Sequence, residues 1–291
     1  MQRCELLAPG KINLYLEITG KRADGYHSVV MVLQSVALAD RLVLERQDTV
    51  ELRCDRDELP TDARNLAIKA ALLLQQHTGY HGGVRIEIQK AIPIGAGMAG
   101  GSADAAAVLV GLNQLWQLGL TIPELESLAA DLGSDVPFCI RGGTVLAIGR
   151  GEQLSPLIGL PNCPLVIVKP RDLSVSTAWA YQNYQATAAH TPLSAMLSAI
   201  AHQDFAEIGR YLSNDLEPTV LAAQPEVAAA KSLLQAACPL GVMMSGSGPT
   251  VFALCANAAA AAQLYQQIDP DRFEAWLSET SAAGITLTAW A

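Results

Sequence analysis

Four glycines stand within seven residues in the segment PIGAGMAGG, which separates an alternating, strand-like run from an apolar, helix-like run. Glycine allows positive φ angles and a close approach of the backbone to a ligand, so successive N–H groups can converge on one point. A helix that begins there adds free N–H groups and the positive end of its dipole. The segment therefore predicts a main-chain cradle for a phosphate. A tight turn without a ligand is the alternative.

Two better-known phosphate loops do not explain this segment. A Walker A loop ends in Gly-Lys followed by Ser or Thr, and the sequence contains no such triplet. Gly95, Gly97 and Gly100 do satisfy the dinucleotide-binding spacing. That motif also needs an acidic residue about 20 positions later, at the end of a second strand. Here the corresponding stretch, LTIPELESLAADL, predicts a helix, and Pro93 interrupts the preceding strand. A dinucleotide-dependent oxidoreductase is therefore disfavoured.

Two charged residues outside the loop could perform chemistry on a bound phosphate. Lys11 begins the apolar run KINLYLEI, where an ammonium group needs an anionic partner, and Asp135 precedes a short helix in SDVPF. A carboxylate can accept the proton of a hydroxyl, and a neighbouring ammonium favours its ionised form. Phosphoryl transfer needs mainly such positioning and charge stabilisation. A solvated lysine and a simple helix N-cap are the alternatives for these two residues.

The elements that must position these residues alternate between strands and helices. Period-two runs broken by the Asp-Gly turn of KRADGYH predict strands and hairpins at 12–18, 29–38, 41–45 and 50–53. Helices are predicted at 65–76 and 122–132, a strand at 84–89, and a short helix that starts in SDVPF. A second glycine turn, SGSGPT, lies between two short strands. It is either an ordinary hairpin or a wall of the same cleft.

Proline punctuation divides the chain into two parts. QLSPLIGLPNCP contains three prolines between strand-like runs, which predicts one domain over residues 1–158 and a second over 159–291. A chain of 291 residues, 51% hydrophobic and 16% charged, is long enough for about two domains and too apolar to be disordered. The strand-like runs on either side of the prolines are 144–148 and 165–168. The second part is predicted to be mostly helical up to Pro239, followed by strands at VMM and VFALC, an alanine-rich helix and a last strand at GITLTAW.

Charge and composition exclude several classes of partner. The formal net charge is −9, whereas a general nucleic-acid binder needs a basic face, so no nucleic-acid partner is expected. Glu5 and Lys11 near the start disfavour a signal peptide, and no run approaches the ~18 apolar residues of a membrane span. The six cysteines form no Cys-x-x-Cys pair, which indicates free thiols in a reducing compartment. We expect a cytoplasmic protein without a membrane partner.

Three segments together resemble one family. APGKINLYLEI, PIGAGMAGGSADAAA and MMSGSGPTVFAL, in this order, are similar to the three motifs of the GHMP kinases, and they span nearly the whole chain. The resemblance implies an α/β (α+β) fold of two domains. The N-terminal domain would contain a left-handed βαβ unit and bind ATP, and the C-terminal domain would be ferredoxin-like. It also implies a kinase that takes ATP as co-substrate and phosphorylates the hydroxyl of a small molecule.

Within this family, the segments KINLYLEITGKRADGYH and GSDVPF resemble one branch, and RADGYHS is the discriminating piece. The branch phosphorylates a tertiary 2-hydroxyl on a substrate that carries a cytidine diphosphate group, in the non-mevalonate route to isoprenoids. A kinase for mevalonate or homoserine and a non-catalytic nucleotide sensor are the alternatives. The resemblance implies Mg²⁺, for which Ser102 matches one ligand position; no acidic partner can be placed, so the metal ligands stay unassigned. A monomer or weak homodimer is expected.

The resemblance also implies roles for individual residues. Lys11 and Asp135 would be the catalytic pair, with Asp135 accepting the proton of the substrate hydroxyl. Tyr26 and Tyr181 would offer ring faces to the cytosine, although Tyr181 could also be core and His27 a surface turn residue. The implied ATP-binding residues are Asn65, Lys90, Pro93, Ile94, Gly95, Ala96, Gly97, Met98, Ala99, Gly100, Gly101, Ser102 and Ala103. The implied substrate-binding residues are Asn13, Tyr26, His27, Thr177 and Tyr181.

Overall fold

The computed structural model describes residues 2–186, 191–237 and 239–290, which form two sheets with helices packed against them. The strands are β1 (Arg3–Lys21), β2 (His27–Gln47), β3 (Val50–Cys54), β4 (Gly83–Gln89), β5 (Thr144–Gly149), β6 (Gln153–Pro156), β7 (Pro164–Pro170), β8 (Ser213–Asn214), β9 (Gly241–Met244), β10 (Val251–Leu254), β11 (Phe273–Glu279) and β12 (Thr286–Trp290). The helices are α1 (Leu66–Thr78), α2 (Gly100–Leu115), α3 (Ile122–Leu132), α4 (Val136–Arg141), α5 (Thr177–Gln182), α6 (Leu193–Ala201), α7 (Phe205–Arg210), α8 (Glu217–Ala223), α9 (Pro225–Ala236) and α10 (Ala258–Tyr265).

The first sheet is built around a long antiparallel hairpin of β1 and β2. Its turn lies where the Asp-Gly pair predicts it: the Arg22 N–H donates to the Tyr26 carbonyl over 2.8 Å, and Gly25 has a φ of +87°. The two runs predicted as separate strands are the two halves of β2. One half pairs with β5 and the other with β4. The pairing of β1 with β2 is interrupted between Pro9 and Lys11, so Lys11 stands directly after an irregularity in the strand.

The prediction of a hairpin at β3 is wrong. β3 pairs in parallel with β4, which lies between β3 and β2 in the sheet. Parallel neighbours need a crossover connection, and α1 supplies it. Helix α1 begins one residue later and ends two residues later than predicted: the Asn65 side chain caps it by accepting the Ala67 N–H over 2.9 Å, and Gly79 ends it with a left-handed φ of +70°.

Helix α2 packs closely on the first sheet because its buried face consists of small residues. Ala103 and Ala105 are 0% exposed. A Cβ atom at Gly111 would lie 2.9 Å from the Leu6 side chain, so glycine lets the helix lie this close to the strand without displacing that leucine. This tight packing makes α2 a firm support for the glycine-rich segment that precedes it.

The second sheet has the strand order β11-β7-β10-β9, and helices α9 and α10 pack against its strands. The sequence patterns predict β7, β9, β10 and β12, whereas β6, β8 and β11 were not predicted. β8 and β12 both pair with β1 of the first sheet. The boundary near residue 158 therefore stays a prediction, because the later part of the chain contributes strands to both sheets. Among the described residues, no helix is both long and apolar enough to cross a bilayer.

Candidate active site

A cavity of about 560 Å³ lies where the glycine-rich segment, β1, the start of α4 and the SGSGPT turn meet. It brings together most of the predicted site residues. The SGSGPT turn forms part of its wall through Gly246 and Ser247. The predicted residues that line the cavity are Lys11, Asn13, His27, Asn65, Lys90, Pro93, Ile94, Gly95, Ala96, Gly97, Ala99, Gly100, Gly101, Ser102, Asp135, Thr177 and Tyr181.

Three predicted site residues do not line this cavity. The Met98 side chain is buried in the core, and Ala103 is fully buried in α2, where its N–H donates to the Ala99 carbonyl over 2.9 Å. That N–H is therefore not available to a phosphate. Tyr26 is 56% exposed in the hairpin turn. In this structure it stands beside the cavity rather than in its wall.

The Lys11 ammonium is buried and has two partners that face the cavity. Its Nζ atom donates to Asn13 Oδ1 over 2.7 Å and lies 3.9 Å from Asp135 Oδ2. The Asn13 amide in turn donates to the Met31 sulfur over 3.4 Å. The expectation of an anionic partner for Lys11 is confirmed. These contacts hold the charge in one place beside a carboxylate.

Asp135 occupies the N-cap position of α4, but its side chain makes no capping hydrogen bond. The carboxylate is therefore not used to stabilise the helix. Its side chain is 32% exposed, whereas that of Lys11 is 5% exposed. Asp135 thus presents an oxygen to the cavity while its other side faces the ammonium. The interpretation of Asp135 as a simple N-cap does not agree with this geometry.

The glycine-rich segment is held at two points by the rest of the site. The Lys11 N–H donates to the Met98 carbonyl over 3.1 Å, and the Ser245 hydroxyl donates to the Gly97 carbonyl over 3.0 Å. Gly95, Gly97 and Ala99 have positive φ angles of 61°, 72° and 59°. No side chain caps the start of α2, so its first N–H groups remain available to an anion in the cavity.

Lys90 lines the cavity, but its ammonium is bound by carboxylates of the protein. It contacts Asp40 and lies 2.7 Å from Asp104 Oδ2, and its side chain is 3% exposed. Burial alone would lower the pKa of Lys90, but the Asp104 and Asp40 carboxylates raise it above its usual value. Burial raises the pKa of Asp104 to about 7. We expect little of the Lys90 charge to reach a nucleotide phosphate.

Aromatic side chains form the other end of the cavity. The His27 and Tyr181 rings stack with centroids 5.3 Å apart and an angle of 24° between their planes. Burial raises the pKa of Tyr181 well above its usual value, with a smaller contribution from Asp135. The Thr177 and Ser247 hydroxyls lie 3.0 Å apart and join α5 to the SGSGPT turn. Aromatic faces beside hydroxyl groups suit a nucleobase and its sugar.

Sequence reasoning missed Arg150, which also lines the cavity. Its guanidinium lies 5.3 Å from the centroid of the Tyr26 ring. The next residue, Gly151, adjoins the Ser134 side chain, since a Cβ atom there would lie 3.8 Å from it. Arg150 therefore lines the cavity beside Tyr26, and the residue after it adjoins Ser134, the neighbour of Asp135. A single arginine between two glycines in IGRGEQ is a weak signal, because such turns are common on protein surfaces.

Comparisons with known proteins give the family of the chain. A family model described as GHMP kinases N terminal domain matches residues 65–143, and one described as GHMP kinases C terminal matches residues 196–275. The chain is 52% identical to a 4-diphosphocytidyl-2-C-methyl-D-erythritol kinase of Synechococcus sp. (strain JA-2-3B'a(2-13)), over 99% of this chain and 97% of the relative. It is 50% identical to the protein of the same name from Gloeobacter violaceus (strain ATCC 29082 / PCC 7421), with the same coverage.

Solved structures show the same relationship. A crystal structure of 4-(cytidine 5'-diphospho)-2C-methyl-D-erythritol kinase superposes with a TM-score of 0.81 and 35% identity, over 95% of this chain and 98% of the other. A homoserine kinase from Cytophaga hutchinsonii shares the fold, with a TM-score of 0.78, 22% identity, and 99% and 98% of the two chains covered. The chain belongs to the GHMP kinases and, among them, to the family of the 4-diphosphocytidyl-2-C-methyl-D-erythritol kinases.

Proposed function

We propose that this kinase transfers the γ-phosphoryl group of ATP to the 2-hydroxyl of 4-diphosphocytidyl-2-C-methyl-D-erythritol, giving the 2-phosphate and ADP. The observation that carries the proposal is the single cavity in which Lys11 and Asp135 face a glycine-rich main-chain cradle. The relatives that are about half identical over the whole chain carry the name of this kinase, which supports the choice of substrate.

Asp135 accepts the proton of the attacking hydroxyl in this mechanism. Its carboxylate is partly exposed to the cavity and makes no capping hydrogen bond to α4, so a hydroxyl can approach it. Lys11 stabilises negative charge on the oxygen that attacks and on the phosphoryl group in transfer, because its ammonium is fixed within 3.9 Å of the carboxylate. The proton moves from the substrate oxygen to Asp135 as the new P–O bond forms and the bond to ADP breaks.

Main-chain N–H groups hold the nucleotide phosphates. The start of α2 has free donors at Gly100 and Gly101, and the glycine-rich segment curves over them with its positive φ angles. Leu59, Pro60 and Asn65 line the nearby part of the cavity, where the nucleoside would lie. Backbone recognition of this kind needs no free lysine. It therefore agrees with the pairing of Lys90 to two carboxylates.

The cavity fits a Mg²⁺ ion that is held mainly by phosphate oxygens. The described residues contain no group of three or more His, Cys, Asp or Glu side chains that could bind a metal by themselves. Mg²⁺ needs fewer protein ligands than that, because it keeps waters and binds substrate phosphates. Ser102 and Asp135 both line the cavity and would be the side chains that offer oxygen ligands to the ion. When bound, the ion would neutralise charge on the phosphates.

Arg150 supplies positive charge for the diphosphate of the substrate. The substrate joins a cytidine to the reacting alcohol through two phosphates, and Arg150 lines the same cavity as His27, Tyr181 and Asp135. Its Nε atom is 3.9 Å from Glu152 Oε1, so this ion pair leaves most guanidinium N–H groups for other partners. Arginine binds phosphate oxygens through two parallel hydrogen bonds.

Replacing Arg150 by alanine should raise the KM for the diphosphocytidyl substrate by roughly 10-fold or more, because charged hydrogen bonds are worth ~1.5–3 kcal/mol. The KM for ATP should change little, because the proposed ATP site uses main-chain N–H groups of the glycine-rich segment and α2. Initial rates with each substrate varied in turn measure both constants. Arg210→Ala on α7, whose guanidinium pairs with Glu207 at the surface, serves as the control. A KM that stays at the wild-type value in Arg150→Ala would remove Arg150 from the site.

The activity itself is tested by ADP release from purified protein with a panel of alcohols. The diphosphocytidyl substrate should support turnover, whereas mevalonate and homoserine should not. Cytidine diphosphate should compete with the substrate, because it fills the aromatic end without offering a hydroxyl to Asp135. Turnover of mevalonate or homoserine in place of the diphosphocytidyl compound would contradict the proposed specificity. Binding of ATP without ADP formation from any of these alcohols would favour a nucleotide sensor.

We also propose a cytoplasmic location. The five cysteines that the structure describes are free thiols, and four of them are buried. Free thiols of this kind are typical of a reducing compartment. Cys238 lies outside the described residues. The expectation of a monomer or weak homodimer remains a prediction, which sedimentation analysis at several protein concentrations would check.

A further inference from the structure

A buried carboxylate on β2 bonds directly to the chain just before the glycine-rich segment. Asp40 is 0% exposed. Its Oδ1 atom accepts the N–H groups of Ala91 and Ile92 over 2.7 and 2.8 Å, and its Oδ2 atom binds the Lys90 ammonium. One side chain therefore fixes three consecutive residues on the way into the phosphate cradle.

The Lys90 ammonium also connects residues 90–92 to α2, the helix that follows the glycine-rich segment. Lys90 Nζ donates to Asp104 Oδ2 over 2.7 Å, and Asp104 lies in the second turn of α2. Asp40, Lys90 and Asp104 thus form a buried chain of charges, which we call the stem triad. It joins the two ends of the segment 91–99.

The residues fixed by the stem triad bear directly on the site. A Cβ atom at Gly100 would lie 3.1 Å from the Ile92 side chain and 3.2 Å from Lys90 Nζ. A Cβ atom at Gly10 would lie 3.4 Å from Ile92 Cδ1. Ile92 therefore packs between the strand that carries Lys11 and the first residue of α2. A shift of residues 90–92 would therefore move the glycine-rich segment relative to Lys11.

We propose that Asp40 is a positioning residue for nucleotide binding: through the stem triad, it holds both ends of the glycine-rich segment in the conformation that accepts the ATP phosphates. Asp40 touches neither the nucleotide nor the alcohol. It acts through the backbone of residues 91 and 92 and through Lys90. This assignment rests on the proposed ATP site, and it adds a buried residue that does not line the cavity to those that nucleotide binding depends on.

The test is Asp40→Asn, with ATP affinity measured by calorimetry in the absence of the alcohol. The asparagine oxygen can still accept the two backbone N–H groups, but its NH₂ group then faces the Lys90 ammonium, so two donors oppose each other. The Kd for ATP should rise by about 10-fold. At saturating ATP, kcat should stay within about 3-fold of wild type, and the KM for the alcohol should not change.

The control is Glu5→Gln, which removes a carboxylate that pairs with Arg41, the neighbour of Asp40 on β2, and has no contact with the segment. It should leave the Kd for ATP unchanged. A purely structural role of Asp40 would lower the thermal stability and the fraction of active protein but not the ATP affinity of the folded fraction. An unchanged Kd in folded Asp40→Asn would therefore overturn the proposal. Failure of the wild-type protein itself to bind ATP would instead reject the proposed function.

A second variant decides the question if Asp40→Asn does not fold. Asp104→Asn leaves the bonds of Asp40 to the backbone intact and weakens only the link to α2, so its Kd for ATP should rise by about 3-fold. In a foldable double variant the two effects should be non-additive, because both act through Lys90. A wild-type Kd in Asp104→Asn, or full additivity in the double variant, would contradict a shared stem triad.

Discussion

Replacing Asp135 by alanine should lower kcat by roughly 10²- to 10⁴-fold, which is the range that a general base contributes. The variant loses the carboxylate that accepts the hydroxyl proton in the proposed mechanism. The fold should tolerate the change, because the side chain is 32% exposed and makes no capping hydrogen bond to α4. ATP should still bind, since the cradle is made of backbone groups elsewhere.

Single-turnover assays with saturating ATP and alcohol measure this loss directly. Asp131→Ala provides a matched control: Asp131 is an exposed carboxylate on α3, four residues before Asp135, and its removal should leave the rate unchanged. Asp135→Asn should be about as slow as the alanine variant, because an amide keeps the shape but cannot accept the proton. Turnover of Asp135→Ala within a few-fold of wild type would reject the assigned role.

Replacing Gly97 by alanine should weaken ATP binding by at least about 10-fold. Gly97 has a φ of +72°, a conformation that costs an L-residue roughly 1–2 kcal/mol. In addition, the new Cβ atom would overlap the Ser245 carbonyl oxygen, so the glycine-rich segment and the SGSGPT turn must separate. Each 1.4 kcal/mol of that distortion is a factor of ten in affinity. Calorimetric titration with ATP measures the change.

Gly20→Ala is the appropriate control for this variant. Gly20 is exposed at the end of β1, and a Cβ atom there would meet nothing within 4 Å. Its affinity for ATP should match wild type. Gly100→Val should also impair ATP binding, but its Cβ atom would lie 3.1 Å from Ile92 Cγ2 and 3.2 Å from Lys90 Nζ, a milder overlap than that at Gly97, so the effect should be smaller than at Gly97. The opposite order of the two variants would contradict the described packing of the segment.

Local patterns predict the elements of this fold better than their pairing. The bounds of α3 match the prediction and those of α1 differ by only one or two residues, because Thr121, Asn65 and Gly79 satisfy backbone groups close to them in the chain. The pairing of β3 with β4 could not be read in this way. It depends on where α1 places the chain after the crossover, which no short pattern encodes. β11 was missed because its FEAWLSE alternation is incomplete.

In the site, too, local sequence patterns predict more than they do for contacts between residues far apart in the sequence. The glycine-rich segment could be predicted because its backbone conformation requires glycine at particular places. Lys11 and Asp135 could be paired only as a hypothesis, since 124 positions separate them in the sequence. Asp40 carried no signal, and the signal of Arg150 was weak. An aspartate between two strand runs predicts a turn, and only the folded chain shows that its two oxygens meet three residues of a distant loop.

The start of α2 has a thermodynamic consequence for the protein without nucleotide. Ala99 adopts a left-handed conformation there, with a φ of +59°, and no side chain bonds to the first amides of the helix. In most helices such groups gain about 1 kcal/mol from a cap within the chain. Here these N–H groups gain a partner only when a phosphate binds. Amide hydrogens at 100–102 should therefore exchange rapidly in the free enzyme and slowly once ATP is present. Binding of ATP therefore also makes the first turn of α2 rigid.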